Sequence, residues 1–103
     1  DGAAEIGYAM HPDGRGSGIM TEAAERVLQW AFAGPPEGLG LVRVQWRAIA
    51  TNTASAAVAQ RLGLRFEGRT RSSVLHRGSR HDQLLAAALH DDDRSAPMVW
   101  PTS

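Results

Sequence analysis

The chain contains no cysteine and no lysine. Without cysteine there is no disulfide, no thiol nucleophile and no thiolate metal site. Without lysine, Schiff-base chemistry is excluded. So is a P-loop, whose signature ends in Gly-Lys-Ser/Thr. All 11 basic residues are arginine, and 11 acidic residues balance them. A net charge of zero argues against a general nucleic-acid binder, which would be clearly basic. No apolar run approaches the roughly 18 residues of a membrane span, and no signal-peptide pattern is visible. A cytoplasmic protein without membrane association is therefore expected. The histidines, His11, His76, His81 and His90, show no ligand spacing, so no metal site is expected.

What is present suits one small domain. The 103 residues have 43% apolar content, enough for a modest core. Alternation in Glu5–Met10 predicts a strand, with Ile6, Tyr8 and Met10 on one face. Met20, Ala24, Val27, Leu28 and Ala31 recur at helical spacing, predicting a helix over 18–32. A turn-rich stretch, Ala33–Gly40, leads to Leu41–Ala50. There Val42, Val44 and Trp46 alternate with Arg43, Gln45 and Arg47, the pattern of a half-buried strand. Ser55–Leu62 reads as a short helix stopped by Gly63. Leu64–His76 reads as a strand bent near Gly68, turning at Arg77-Gly78-Ser79 into a returning strand over 82–89. The order is β-α-β-α-β-β, an α/β (α+β) domain over 1–89. Residues 90–103, with an acidic run and two prolines, read as a disordered tail. Arg61, Arg65, Arg69, Arg71, Arg77 and Arg80 fall in a span whose only acid is Glu67. They suit an acidic partner or a solvated face.

The stretch His11–Phe32 sets three glycines, Gly14, Gly16 and Gly18, around Arg15 and Ser17, immediately before the first helix. Glycine lets backbone approach a ligand closely, and a helix start offers unpaired N–H groups to an anion. The local reading is a phosphate-cradling loop. It is not a Rossmann fingerprint, because Ile19 stands where the third glycine is needed. Arg15-Gly16-Ser17-Gly18-Ile19-Met20 resembles the R/Q-x-x-G-x-G/A loop of the GNAT (Gcn5-related) N-acetyltransferases, with Met20 departing from the final small residue. A second block supports this. Asn52-Thr53-Ala54-Ser55, Val58, Arg61-Leu62-Gly63-Leu64 and Phe66-Glu67-Gly68 resemble the N-x-x-S-x-x-V…(K/R)-x-G-F…E-G run of the RimJ/RimL-like branch, with Leu64 in place of phenylalanine. The resemblance spans about Ala4 to Leu89 and matches only the C-terminal half of that fold. The family's mixed sheet is expected, with its N-terminal elements missing.

The resemblance implies acetyl-CoA as co-substrate. Backbone N–H groups of Gly16, Ser17, Gly18, Ile19 and Met20 would hold the pyrophosphate, with Arg15 adding a charged contact. Met10 and Asn52 would contact the pantetheine arm. The Ala9 N–H would hold the thioester oxygen. Ser55 would approach the coenzyme sulfur, since Ala59 occupies the position where many relatives carry a tyrosine acid. Glu5 would act as base. The blander readings are a ligand-free turn for the glycines, an N-cap for Asn52, a first-turn residue for Ser55 and a solvated carboxylate for Glu5. The acceptor would be a protein N-terminus or a small-molecule amine. The alternative is a catalytically inactive CoA-binding or protein-interaction fragment, and an exposed edge at the first strand would favour a homodimer.

Overall fold

A computed structural model describes residues 2–6 and 17–101. Its elements, in chain order, are β1 (Ala3–Ile6), α1 (Ser17–Phe32), β2 (Arg43–Ile49), α2 (Thr53–Arg61), β3 (Arg65–His76) and β4 (Ser79–Leu89). The strands form one mixed sheet in the order β1-β2-β4-β3. β1 and β2 are parallel, joined through α1, with Ala3 opposite Arg43 and Ile6 opposite Trp46. β4 runs antiparallel to both β2 and β3. This is the expected β-α-β-α-β-β order. Positions 7–10 of the expected first strand lie outside the described residues.

Both helices lie on one face of the sheet. Ala24, Leu28 and Ala31 of α1 are buried against Val44 and Trp46 of β2, Val58 and Ala59 of α2, and Ala86 and Ala88 of β4. The α1 stripe is narrower than expected, for Val27 is 47% exposed. Alternation sends Arg43, Gln45 and Arg47 of β2 to the opposite face.

Local chemistry explains the ends of the elements. Asn52 caps α2, its side-chain oxygen accepting the Ser55 N–H at 3.1 Å. Gly63, at φ +79°, ends the same helix. Its N–H reaches the Gln60 carbonyl, and the Leu64 N–H reaches back to the Ala59 carbonyl, which satisfies carbonyls that a helix end leaves open. β3 and β4 join through Arg77 and Gly78, both at positive φ, as a two-residue hairpin requires. The bend expected near Gly68 is a register shift between Phe66 and Gly68, and a second lies between Thr70 and Val74. Asp82 secures the second bulge by accepting the Ser72 N–H at 2.8 Å and the Arg69 Nε–H at 2.7 Å. The Ser72 amide first, then Arg69, holds the Asp82 carboxyl below its ordinary range.

The segment after β4 departs from expectation. The expected disordered tail over residues 90–103 docks instead, as far as it is described. Trp100 is buried, its ring 5.2 Å from Trp46 and 5.7 Å from Phe66. Those two rings stand opposite Ala86 from either side, so Trp100 spans β4 over its smallest kind of side chain. The Trp100 indole donates to the Leu64 carbonyl at 2.9 Å. Arg94 donates to both oxygens of Glu25 on α1 and to the Leu62 carbonyl. One large aromatic, one charged fork and the Met98 N–H, which donates to the Gln60 carbonyl at 2.9 Å, hold this segment, where no periodic pattern announces it.

Candidate active site

The parallel pair sets the site. A strand-helix-strand-helix order with parallel strands puts the starts of α1 and α2 at the carboxyl ends of β1 and β2. In open α/β sheets, ligands bind at that edge. Ser17, Gly18 and Ile19 open α1 as its first residues, so backbone N–H groups at this end lack helical partners. Met20 is half-buried and packs on the core. Its side chain therefore turns inward. Ala9, Met10, Arg15 and Gly16 lie outside the described residues.

At the second helix start, Asn52 is half-buried and serves as the cap. Ser55 is 1% exposed. Its Oγ accepts a hydrogen bond from the Trp46 indole N–H at 3.0 Å. Ala59 is fully buried in the core and carries no titratable group, so it contributes no acid.

Glu5 lies on the other face of the sheet. Its Oε2 pairs with Arg47 at 2.8 Å and its Oε1 accepts from Gln45 at 3.1 Å. Gln45 in turn accepts from Arg43, which grips Glu67 with two bonds of 2.6 and 2.8 Å. This chain of polar contacts crosses from β1 to β3. Ala87, on the same face and 3% exposed, lies beneath its path. The Arg43 guanidinium holds the Glu67 carboxyl below the usual glutamate range, and the same pairing raises the guanidinium. A cleft of about 170 Å3 lined by Ala3, Ala4, Glu5, Arg43 and Gln45 opens on this face.

The fold thus brings Asn52 and Ser55 together at one helix start, and sets Glu5 across the sheet from them. The partners of these residues, Trp46 for Ser55 and Gln45 and Arg47 for Glu5, were not identified as functional from the sequence. A signal existed for the first. An inward-facing tryptophan carries an N–H that must find an acceptor when buried, and a serine follows nine positions later, after one turn. Among the described residues no group of histidine, aspartate or glutamate is arranged to hold a metal ion. No helix among them is long and apolar enough to cross a membrane.

Comparison with known proteins identifies the family. Residues 1–65 match the family model described as an acetyltransferase (GNAT) domain. YdaF of Bacillus subtilis (strain 168), named a ribosomal N-acetyltransferase, is 38% identical over 86 residues, which are 84% of this chain and 45% of YdaF. The solved ribosomal-protein-S5-alanine acetyltransferase of Vibrio fischeri superposes with a TM-score of 0.73 at 29% identity, over 86% of this chain and 47% of that one. The microcin C7 self-immunity acetyltransferase MccE, solved with acetyl-CoA and AMP, superposes with a TM-score of 0.68 at 26% identity, over 84% and 46%. The chain spans about half the length of the curated relatives it matches. With strand order, helix starts and family model in agreement, the chain belongs to the GNAT acetyltransferase domain family.

Proposed function

We propose that this chain carries the acetyl-CoA side of an N-acetyltransferase that modifies a primary amine, the N-terminus of a protein. The observation that carries the reading is the buried Ser55 hydroxyl at the start of α2, at the carboxyl edge of the parallel pair. Family membership supports acetyl-CoA as co-substrate. The names of YdaF and the Vibrio enzyme support a ribosomal protein as the kind of acceptor.

The reaction is direct transfer. The neutral amine nitrogen attacks the thioester carbonyl carbon, the nitrogen–carbon bond forms and the carbon–sulfur bond breaks. The bonding pair leaves on sulfur, and the amine gives up one proton to Glu5 or to water. The Ala9 N–H holds the carbonyl oxygen while it is negative. Such oriented donors are worth about 2.7–4 kcal/mol in transition states. The α1 start, from Gly16 to Met20 with Arg15, receives the pyrophosphate, and Met10 and the Asn52 amide receive the pantetheine arm. Ser55 donates to the departing sulfur. A thiolate whose acid has a pKa of about 8.5 needs only that much help.

The test is incubation with acetyl-CoA and peptides bearing free or blocked N-termini, read by mass spectrometry. Acetylation confined to the free N-termini supports the reading. Acetyl-CoA binding without transfer to any amine would assign the chain to CoA binding alone.

A further inference from the structure

Trp46 is 2% exposed on the helix-facing side of the sheet, and its indole N–H ends on Ser55 Oγ. An indole N–H only donates. Ser55 is therefore the acceptor in this bond, and its own proton must point elsewhere. A helical serine ordinarily returns that proton to a carbonyl three or four residues back. Ser55 does not. Among the described residues, nothing accepts its hydroxyl proton. Capping of α2 is left to Asn52. Buried hydroxyl donors normally find an acceptor. One left open at 1% exposure, at the carboxyl edge of parallel strands, points to an acceptor that arrives with a ligand.

We infer that Trp46 is a positioning residue that fixes Ser55 as a one-way hydrogen-bond donor to the sulfur of coenzyme A. The inference rests on the acetyl-CoA reading above. By occupying one lone pair of Oγ, the indole leaves the hydroxyl proton for a second acceptor, and a hydroxyl that accepts one bond donates a stronger one. The benefit grows as negative charge gathers on sulfur, because bonds to ionised acceptors are the stronger kind. The interaction therefore favours the departing thiolate over the bound thioester. Trp100 packs against the Trp46 ring at an interplanar angle of 56°, so the docked segment after β4 helps hold the indole in place.

The experiment compares five variants of the whole chain: Ser55→Ala, Trp46 replaced by 3-benzothienylalanine, these two changes together, Trp46→Phe, and Trp30→Phe as an exposed-surface control. The benzothienyl ring keeps the indole's shape and puts sulfur in place of the N–H. Calorimetry measures affinity for free CoA and for desulfo-CoA, which lacks the thiol, from about pH 6 to about pH 9.5, across the thiol pKa. The native chain is expected to prefer CoA by roughly tenfold once the thiol ionises. Ser55→Ala and the benzothienyl variant should each lose that preference while keeping their affinity for desulfo-CoA, and the two changes together should lose no more than either alone. If the benzothienyl chain does not fold, Trp46→Phe takes its place with the same expected loss. A Trp46 variant that keeps the preference while Ser55→Ala loses it would overturn the positioning role and leave Ser55 its own. No preference in the native chain, or none lost in Ser55→Ala, would overturn both. Failure of CoA and desulfo-CoA alike to bind would overturn the acetyl-CoA reading itself.

Discussion

Gly63 and Gly78 both have positive φ, and they differ in what surrounds them. A Cβ on Gly63 would lie 2.9 Å from the Arg94 Cβ and 3.1 Å from its Cα, whereas one on Gly78 would meet nothing. Gly78→Ala is expected to cost about 1–2 kcal/mol through backbone strain alone. Gly63→Ala adds displacement of the docked segment and should cost clearly more than about 2 kcal/mol. Denaturant titration of the two variants checks this, and equal losses would contradict the packing described around Arg94. At this scale the sequence was partly legible. Asn52 as cap and Gly63 as helix stop follow from local backbone chemistry, which a short window contains. Trp46 as partner of Ser55, and Arg47 as partner of Glu5, depend on which strand lies beside which. Residue type alone does not encode that pairing.

Among the elements, the strands and helices followed from their periods of two and 3.6, since each buries one face. The segment after β4 did not. It has no period, and Trp100 and Arg94, which help attach it, find their partners Trp46, Phe66 and Glu25 on three other elements. Trp100→Ala removes a buried ring and should destabilise the chain by about 3–5 kcal/mol. A small domain has only about 5–15 kcal/mol in total, so thermal unfolding should shift far downward. A shift as small as that of a surface substitution would contradict the docking. The Arg94 pair also predicts a pH response. Hydrogen bonding from Arg94 holds the Glu25 carboxyl below its ordinary value. A carboxyl depressed in the folded state adds stability above its unfolded value, about 4.3, and loses it as pH falls through the lower folded value. Both side chains keep some solvent access, so the contribution is below about 1 kcal/mol. Acidification past that range should loosen the segment, read as tryptophan fluorescence, and Arg94→Met should reduce the pH-dependent part, since Asp93 in the same segment is held low separately by Ser95.

For the molecule as a whole, the parallel β1–β2 pair decides the arrangement. Alternation along β2 sends Trp46 to one face with Ser55 and Arg47 to the other with Glu5. Variants on the two faces should therefore separate. Ser55→Ala should act on the leaving sulfur. Glu5→Gln should act on the acceptor amine, lowering turnover most at low pH, where the amine is protonated, with little change in acetyl-CoA affinity. Rates measured against pH at saturating acetyl-CoA check this. If the α1 start and the parallel strand ends bind acetyl-CoA, calorimetric titration of the chain with acetyl-CoA, beside Gly18→Glu, will show it. The expected dissociation constant is on the order of micromolar, and binding is lost in the variant because a carboxylate then opposes the pyrophosphate at the helix start. A folded chain that does not bind acetyl-CoA, or binds it equally well with Gly18→Glu, would contradict it.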